Sequence, residues 1–128
     1  INKLLRNPTE LEILGDGKQI RSYIYIDDAV EATVIAWRRT DAIYEVYNVA
    51  SEDWITVDEV ADEVIKAMGL SNVKKVYKPM LHGVGWLGDV KKITLKIERL
   101  KTLGFKPKLN SESAVYKTAI ELMKELGV

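Results

Sequence analysis

The stretch Leu14 to Glu31, LGDGKQIRSYIYIDDAVE, constrains the fold most. It joins a turn, an alternating run and a helix start without a gap. Gly15-Asp16-Gly17 is turn chemistry, because glycine takes positive φ at no steric cost and an aspartate bonds its own backbone. Gln19 to Ile26 then alternates: Ile20, Ser22, Ile24 and Ile26 fall on one face, Gln19, Arg21, Tyr23 and Tyr25 on the other. The first set is an ordinary core face. The second presents an amide, a guanidinium and two phenols together. That suits a polar, anionic ligand, since Arg forks onto phosphate and tyrosine offers an apolar body with a hydroxyl. For Arg21 a surface charge beside a carboxylate is the competing reading. Asp27-Asp28 ends the strand, and Asp28 with Glu31 has the spacing of a capping box. Val30, Val34 and Trp37 follow at helical spacing with little charge before Arg38, which predicts a mostly buried helix.

The flanking segments extend this pattern. Ile1 to Asn7 reads as the last turns of a helix that Pro8 stops, so the chain is expected to be a piece of something longer. Leu11 to Leu14 is a short strand. Glu45 to Val49 is a second strand after the buried helix, which predicts a parallel βαβ unit with Ile20–Ile26. Asn48 sits at its C-terminal end, the edge where open α/β sheets bind ligands, although a turn-forming amide is equally compatible. Thr56 and Glu59 form a second capping box. Val57, Val60, Ala61, Val64, Ile65 and Met68 give that helix its stripe, and Gly69 ends it. Val73 to Lys78 alternates as a short strand, whose lysines read as solvated edge charges. Ile97, Leu100 and Leu103 make a short helical face closed by Gly104. Ser111 starts a last helix with Val115, Ala119, Leu122 and Leu126 at helical spacing.

Between these elements lies His82-Gly83-Val84-Gly85-Trp86-Leu87-Gly88-Asp89, a literal G-x-G-x-x-G. A dinucleotide loop needs a buried strand before it and a helix opening within it. Here Pro79 and Met80 precede it, and Trp86 and Leu87 fill the helix-facing positions, so a mobile loop over a ligand is the better reading. His82 is the only histidine, and with no second His or Cys beside it a metal site is not expected.

Composition narrows the class. The chain has 128 residues, enough for one core, and 47% are apolar. Nineteen basic residues face 19 acidic ones, a poor balance for nucleic-acid binding. There is no cysteine, so disulfides and Cys-based zinc sites are excluded. No apolar run reaches membrane-spanning length and no signal peptide opens the chain, which points to a cytoplasmic protein with no membrane partner.

The motif LGDGKQIRSYIYIDDAVEA, followed in order by Val46–Ala50 (VYNVA), Ile55–Val57 (ITV), Gly85–Val90 (GWLGDV) and Leu103–Pro107 (LGFKP), resembles the substrate-binding part of extended short-chain dehydrogenases/reductases. These are the NAD-dependent nucleotide-sugar epimerases and dehydratases, UDP-glucose 4-epimerase among them. The resemblance implies a fragment of a Rossmann-type α/β enzyme: a small mixed domain with a parallel βαβ unit, short extra strands and several helices. It implies that residues 1–128 clamp the nucleoside diphosphate of a nucleotide-sugar. Gln19, Arg21 and Tyr23 would face the ligand, Asn48 would add an amide contact, and Trp86 to Asp89 would form a lid. NAD and the catalytic residues would lie on an N-terminal Rossmann portion, and a homodimer is expected. In the intact enzyme the sugar carbon would be oxidised transiently, then epimerised or dehydrated, and the hydride returned.

The loop departs from the family. An arginine usually stands shortly before Gly-Asp, where this chain has Val84 to Leu87, so Lys91 or Lys92 would supply the charge as a point and not a fork. The family's catalytic tyrosine needs a lysine four residues on, and none of Tyr23, Tyr25, Tyr44, Tyr47, Tyr77 or Tyr116 has one. The chain alone is therefore expected to be inactive. A non-catalytic binding or interaction module of the same ancestry is the alternative.

Overall fold

A computed structural model describes residues 1–128. It is a mixed α/β arrangement of small elements around two separate strand pairs. Helix α1 (Asn2–Arg6) leads into strand β1 (Glu10–Leu14), which pairs in parallel with β4 (Lys74–Lys78) from Glu10 opposite Lys74 to Leu14 opposite Lys78. Strand β2 (Ile20–Arg21) pairs antiparallel with β3 (Ile55–Thr56). Helix α2 (Ile26–Arg39) and helix α3 (Val57–Ala67) lie between β1 and β4 in the chain. Helices α4 (Glu98–Thr102) and α5 (Ser111–Leu126) complete it, with α5 packed on α3.

The start of α3 ties the elements together. Thr56 Oγ1 accepts from the Glu59 N–H at 3.1 Å, and Glu59 Oε2 accepts from the Thr56 N–H at 2.7 Å, so the expected capping box forms. The first two N–H groups of the helix, Val57 and Asp58, donate to Gln19 O (2.9 Å) and Gly17 O (3.0 Å). Groups that a helix leaves unpaired at its N-terminus are thus satisfied by the turn before β2. That turn needs φ of +95° at Gly15 and +76° at Gly17, which glycine alone adopts freely.

The core is small. Ala32, Ala50, Ile97, Leu100 and Phe105 form its buried centre, flanked by Ile24, Ile35, Tyr47, Val49 and Leu103. A polar hub lies outside it: half-buried Asp53 accepts from the Ser111 N–H (3.0 Å), Ser111 Oγ (2.9 Å) and Ser51 Oγ (2.5 Å). Burial works to raise the Asp53 carboxyl, and the bonds from Ser51 and Ser111 outweigh it and hold it below its usual range.

Four expectations are corrected. First, the parallel pair is β1 with β4, not Ile20–Ile26 with Glu45–Val49; the strand from Ile20 ends at Arg21, and residues 45–49 run without a ladder partner. Alternation describes side-chain faces, but a strand also needs a neighbour along its backbone, and of these residues only Ile20 and Arg21 find one, in β3. Second, α2 starts at Ile26, with Tyr25 as N-cap and no side-chain cap, so Asp28 and Glu31 form no capping box. Asp28, 2% exposed, instead accepts from the Lys108 and Leu109 N–H groups at 3.0 and 3.2 Å, while Glu31 pairs with Lys108. Third, α2 is not mostly buried. Val30 is 55% and Trp37 78% exposed, and only Asp28 and Ala32 are buried. Lys75 also departs from a free edge charge, since it bridges Asp58 (3.0 Å) and Asp62 (2.7 Å).

Replacing Asp28 with Ala strands two N–H groups that a carboxylate serves in the folded chain. Urea denaturation should show a loss of ~2–4 kcal/mol, as for removing charge-assisted bonds. Asp27→Ala, whose side chain is 73% exposed, should stay within ~0.5 kcal/mol of wild type.

Candidate functional site

Two segments far apart in sequence meet at the end of β2. The turn Gly15–Gly17 fixes the direction of β2, and the loop after β4 returns along it. Gly15 N–H donates to Lys78 O and Asp16 N–H to Gly83 O, both at 2.9 Å, and Ile20 N–H donates to Lys91 O at 2.8 Å. Lys91 Nζ lies 3.4 Å from Asp16 Oδ2. These bonds place Asp89 against β2.

Asp89 is the centre of the cluster. Its Oδ1 accepts from an Arg21 guanidinium nitrogen at 2.6 Å. Its Oδ2 accepts from Gln19 Nε2 at 3.2 Å and from the Gly85 N–H at 3.0 Å. The Gly85 N–H lowers the Asp89 carboxyl most, burial opposes it, and Gln19 and the Arg21 charge add to the lowering. Arg21 also donates to Ile20 O at 2.7 Å, and its side chain remains 27% exposed against 7% for Asp89. The guanidinium carries more N–H donors than these bonds use.

Glycine is required here by close approach. A Cβ on Gly15 would lie 1.9 Å from Gln19 Nε2, and one on Gly85 would lie 3.0 Å from Leu14 O. The gap over Gly15 is filled by the Gln19 amide, which is 2% exposed and donates to Leu14 O at 3.2 Å. Its Oε1 is buried and accepts from nothing.

The structure therefore brings Gln19, Arg21 and Asp89 together and leaves the other sequence candidates apart. Tyr23 donates its N–H to Ser111 Oγ (3.0 Å), and its ring lines an apolar groove of about 610 Å³ with Ile24, Val64, Val115 and Leu122. Asn48 Nδ2 donates to Lys96 O at 3.1 Å. Trp86 is 60% exposed, with its ring against Gly88. Lys91 is engaged with Asp16, so it does not stand in for the family arginine at this cluster. The sequence places Asp89 in the lid, whereas in the structure it orients Arg21. The one available signal was its place directly after Gly88 in a loop already tied to the family.

The glycine loop does not fit a dinucleotide. A short 3-10 turn (Leu81–Gly83) precedes it, no helix opens within it, and its N–H groups at Gly83 and Gly85 are engaged with Met80 O and Asp89.

The model of the NAD dependent epimerase/dehydratase family matches residues 1–50. A putative UDP-glucose 4-epimerase of Methanocaldococcus jannaschii is 28% identical over 126 residues, covering 97% of this chain and 37% of that protein. A solved UDP-galactose 4-epimerase is 38% identical with a TM-score of 0.80, covering 98% of this chain and 38% of the other. The UDP-glucose 4-epimerase of Thermotoga maritima, solved with UDP-glucose, is 32% identical with a TM-score of 0.74, covering 91% and 36%. The chain thus spans under two-fifths of the length of these relatives.

Because Asp89 is held below the ordinary aspartate value of 3.8, its ion pair with Arg21 is fully formed above that pH and fails as pH falls through the lower folded value. The Asp89 carboxyl carbon, followed by NMR, should titrate below 3.8 in the wild type. In Arg21→Gln it should move up only partly, because the Gly85 and Gln19 bonds remain.

Proposed function

The chain belongs to the NAD-dependent epimerase/dehydratase family, and from that membership we propose that it is the C-terminal, substrate-binding portion of an NAD-dependent nucleotide-sugar epimerase or dehydratase. Its task is to hold the nucleoside diphosphate of the nucleotide-sugar. The observation that carries this reading is the convergence of Gln19, Arg21 and Asp89 from two segments 70 residues apart. An ion pair made only for stability at a surface contributes little. Here a loop and a strand are shaped around one, with glycine where any side chain would collide.

Asp89 sets the guanidinium in a fixed plane and leaves N–H donors of Arg21 for a phosphate oxygen. The pairing also cancels one positive charge, so Arg21 contributes directed hydrogen bonds more than net attraction. Asp89 keeps acceptor capacity for a hydroxyl. Trp86 and Leu87, 60% and 86% exposed at the tip of the same loop, form the lid over the ligand.

The redox machinery of the intact enzyme, NAD included, would belong to residues outside these 128. The exposed stripe on α2, Ile26, Val30, Val34 and Trp37, supports such a partner portion, because apolar residues at helical spacing are covered in a finished fold. Ile43 and Tyr44, after the end of α2, are exposed as well.

Two measurements test the proposal. In the full-length protein, Arg21→Ala should weaken UDP-glucose binding by ~2 kcal/mol, about 30-fold in Kd by calorimetry. An unchanged Kd would remove Arg21 from the clamp. The isolated chain should sediment heavier than its 14.5 kDa monomer, and Val30→Glu with Trp37→Glu should return it to that mass. A monomeric wild-type chain would remove α2 as the docking face.

A further inference from the structure

The turn residue Asp16 meets the glycine loop at both of its ends. At the entry, its N–H donates to Gly83 O at 2.9 Å. At the exit, its Oδ2 lies 3.4 Å from Lys91 Nζ. Its Oδ1 serves its own turn, accepting from the Lys18 N–H at 3.0 Å. The two loop contacts are packed at one point: a Cβ on Gly83 would lie 2.2 Å from Asp16 Oδ2 and 3.2 Å from Lys91 Nζ. The loop also bends to arrive there. His82 and Gly83 sit at φ of +63° and +76°, and the left-handed region is unfavourable for a residue with a Cβ. Such a conformation persists only where surrounding contacts hold it. The Lys18 N–H does most to hold the Asp16 carboxyl below its usual range; burial opposes this, and the Lys91 charge adds to the lowering. At neutral pH the pair is therefore fully charged.

Asp16 stands apart from the cluster of Gln19, Arg21 and Asp89 and shares no hydrogen bond with any of them. The stretch between its two contacts carries Asp89, which sets Arg21, and the exposed Trp86 and Leu87. A segment tied at both ends has fewer conformations open to it than one tied at a single end. An exposed ion pair adds little to the stability of a whole chain. It weighs more on a short loop, whose local opening costs far less than global unfolding. We propose that Asp16 is a positioning residue: it latches the loop from Gly83 to Lys91 onto the turn between β1 and β2, and so slows the departure of a nucleotide-sugar that it does not touch. This rests on the clamp proposed above and adds the residue that keeps it closed.

Dissociation of UDP-glucose from the full-length protein tests it, with amide hydrogen exchange as a second readout. Lys91→Met cuts the exit contact and leaves the turn's own bonds in place. Asp16→Asn keeps an acceptor for the Lys18 N–H and removes the charge. Each should raise the dissociation rate about two- to fivefold, the range of an exposed ion pair, and leave the association rate within about twofold. The double variant should be no worse than either single one, because the same contact is lost. Lys91→Arg keeps the charge and should match the wild type. Without ligand, the Gly85 N–H, which Asp89 holds within the loop, should exchange faster in Lys91→Met and Asp16→Asn. The Asp58 N–H, bonded to Gly17 O in the turn itself, should keep its wild-type rate. An unchanged dissociation rate in both single variants, effects that add in the double one, or equal acceleration at Asp58 in Lys91→Met overturns the latch and leaves the clamp standing. Failure of the wild type to bind UDP-glucose overturns the clamp itself, and exchange at Gly85 then still decides whether Asp16 holds the loop.

Discussion

The carboxylate of Asp89 is the constraint on which the site depends. It accepts from a guanidinium, an amide and a backbone N–H, and these donors come from two segments that the chain separates widely. None of the three bonds is strong alone, because each replaces a bond to water. Together they define one position for Arg21 and one for the loop. The glycines at 15 and 85 crowd the same junction, since a Cβ at 15 would strike the Gln19 amide and one at 85 would press on Leu14 O at the end of β1.

The fold supplies what that cluster needs and little else. The turn at Gly15–Gly17 aims β2, and its carbonyls take the first N–H groups of α3, so a shift of the turn would unsettle a helix. Helix α5 packs on α3, and the Asp53–Ser111 hub ties the start of α5 to the segment just after β2. Strand, turn and helices thus share hydrogen bonds with the site's own framework. The apolar centre is by contrast small, and much apolar surface on α2 stays uncovered. Such a chain spends its order on one polar junction and leaves its largest apolar faces for another surface.

Much of this was legible in the sequence where the signal is local. The capping box at Thr56 and Glu59, the glycine stops at Gly69 and Gly104, and the spacing along α5 all depend on neighbours within a few residues. The alternating run from Gln19 failed as a long strand because pairing is a property of two segments, and only Ile20 and Arg21 find a partner. Asp28 was misread for a similar reason: cap spacing is local, but its real partners, Lys108 and Leu109, lie on a distant loop. Arg21 and Asp89 were each singled out from the residues and the family motif. Their contact, and the buried amide beside them, could be seen only once both segments were placed.

The central claim is that Arg21 and Asp89 act as one device on one ligand. A double-mutant cycle for UDP-glucose affinity in the full-length protein, Arg21→Ala and Asp89→Ala singly and together, measures this directly. The account predicts strong non-additivity, with the double variant little worse than the worse single one and a coupling of ~1 kcal/mol or more. Losses that simply add would mean that the two residues serve the ligand independently, and would contradict it.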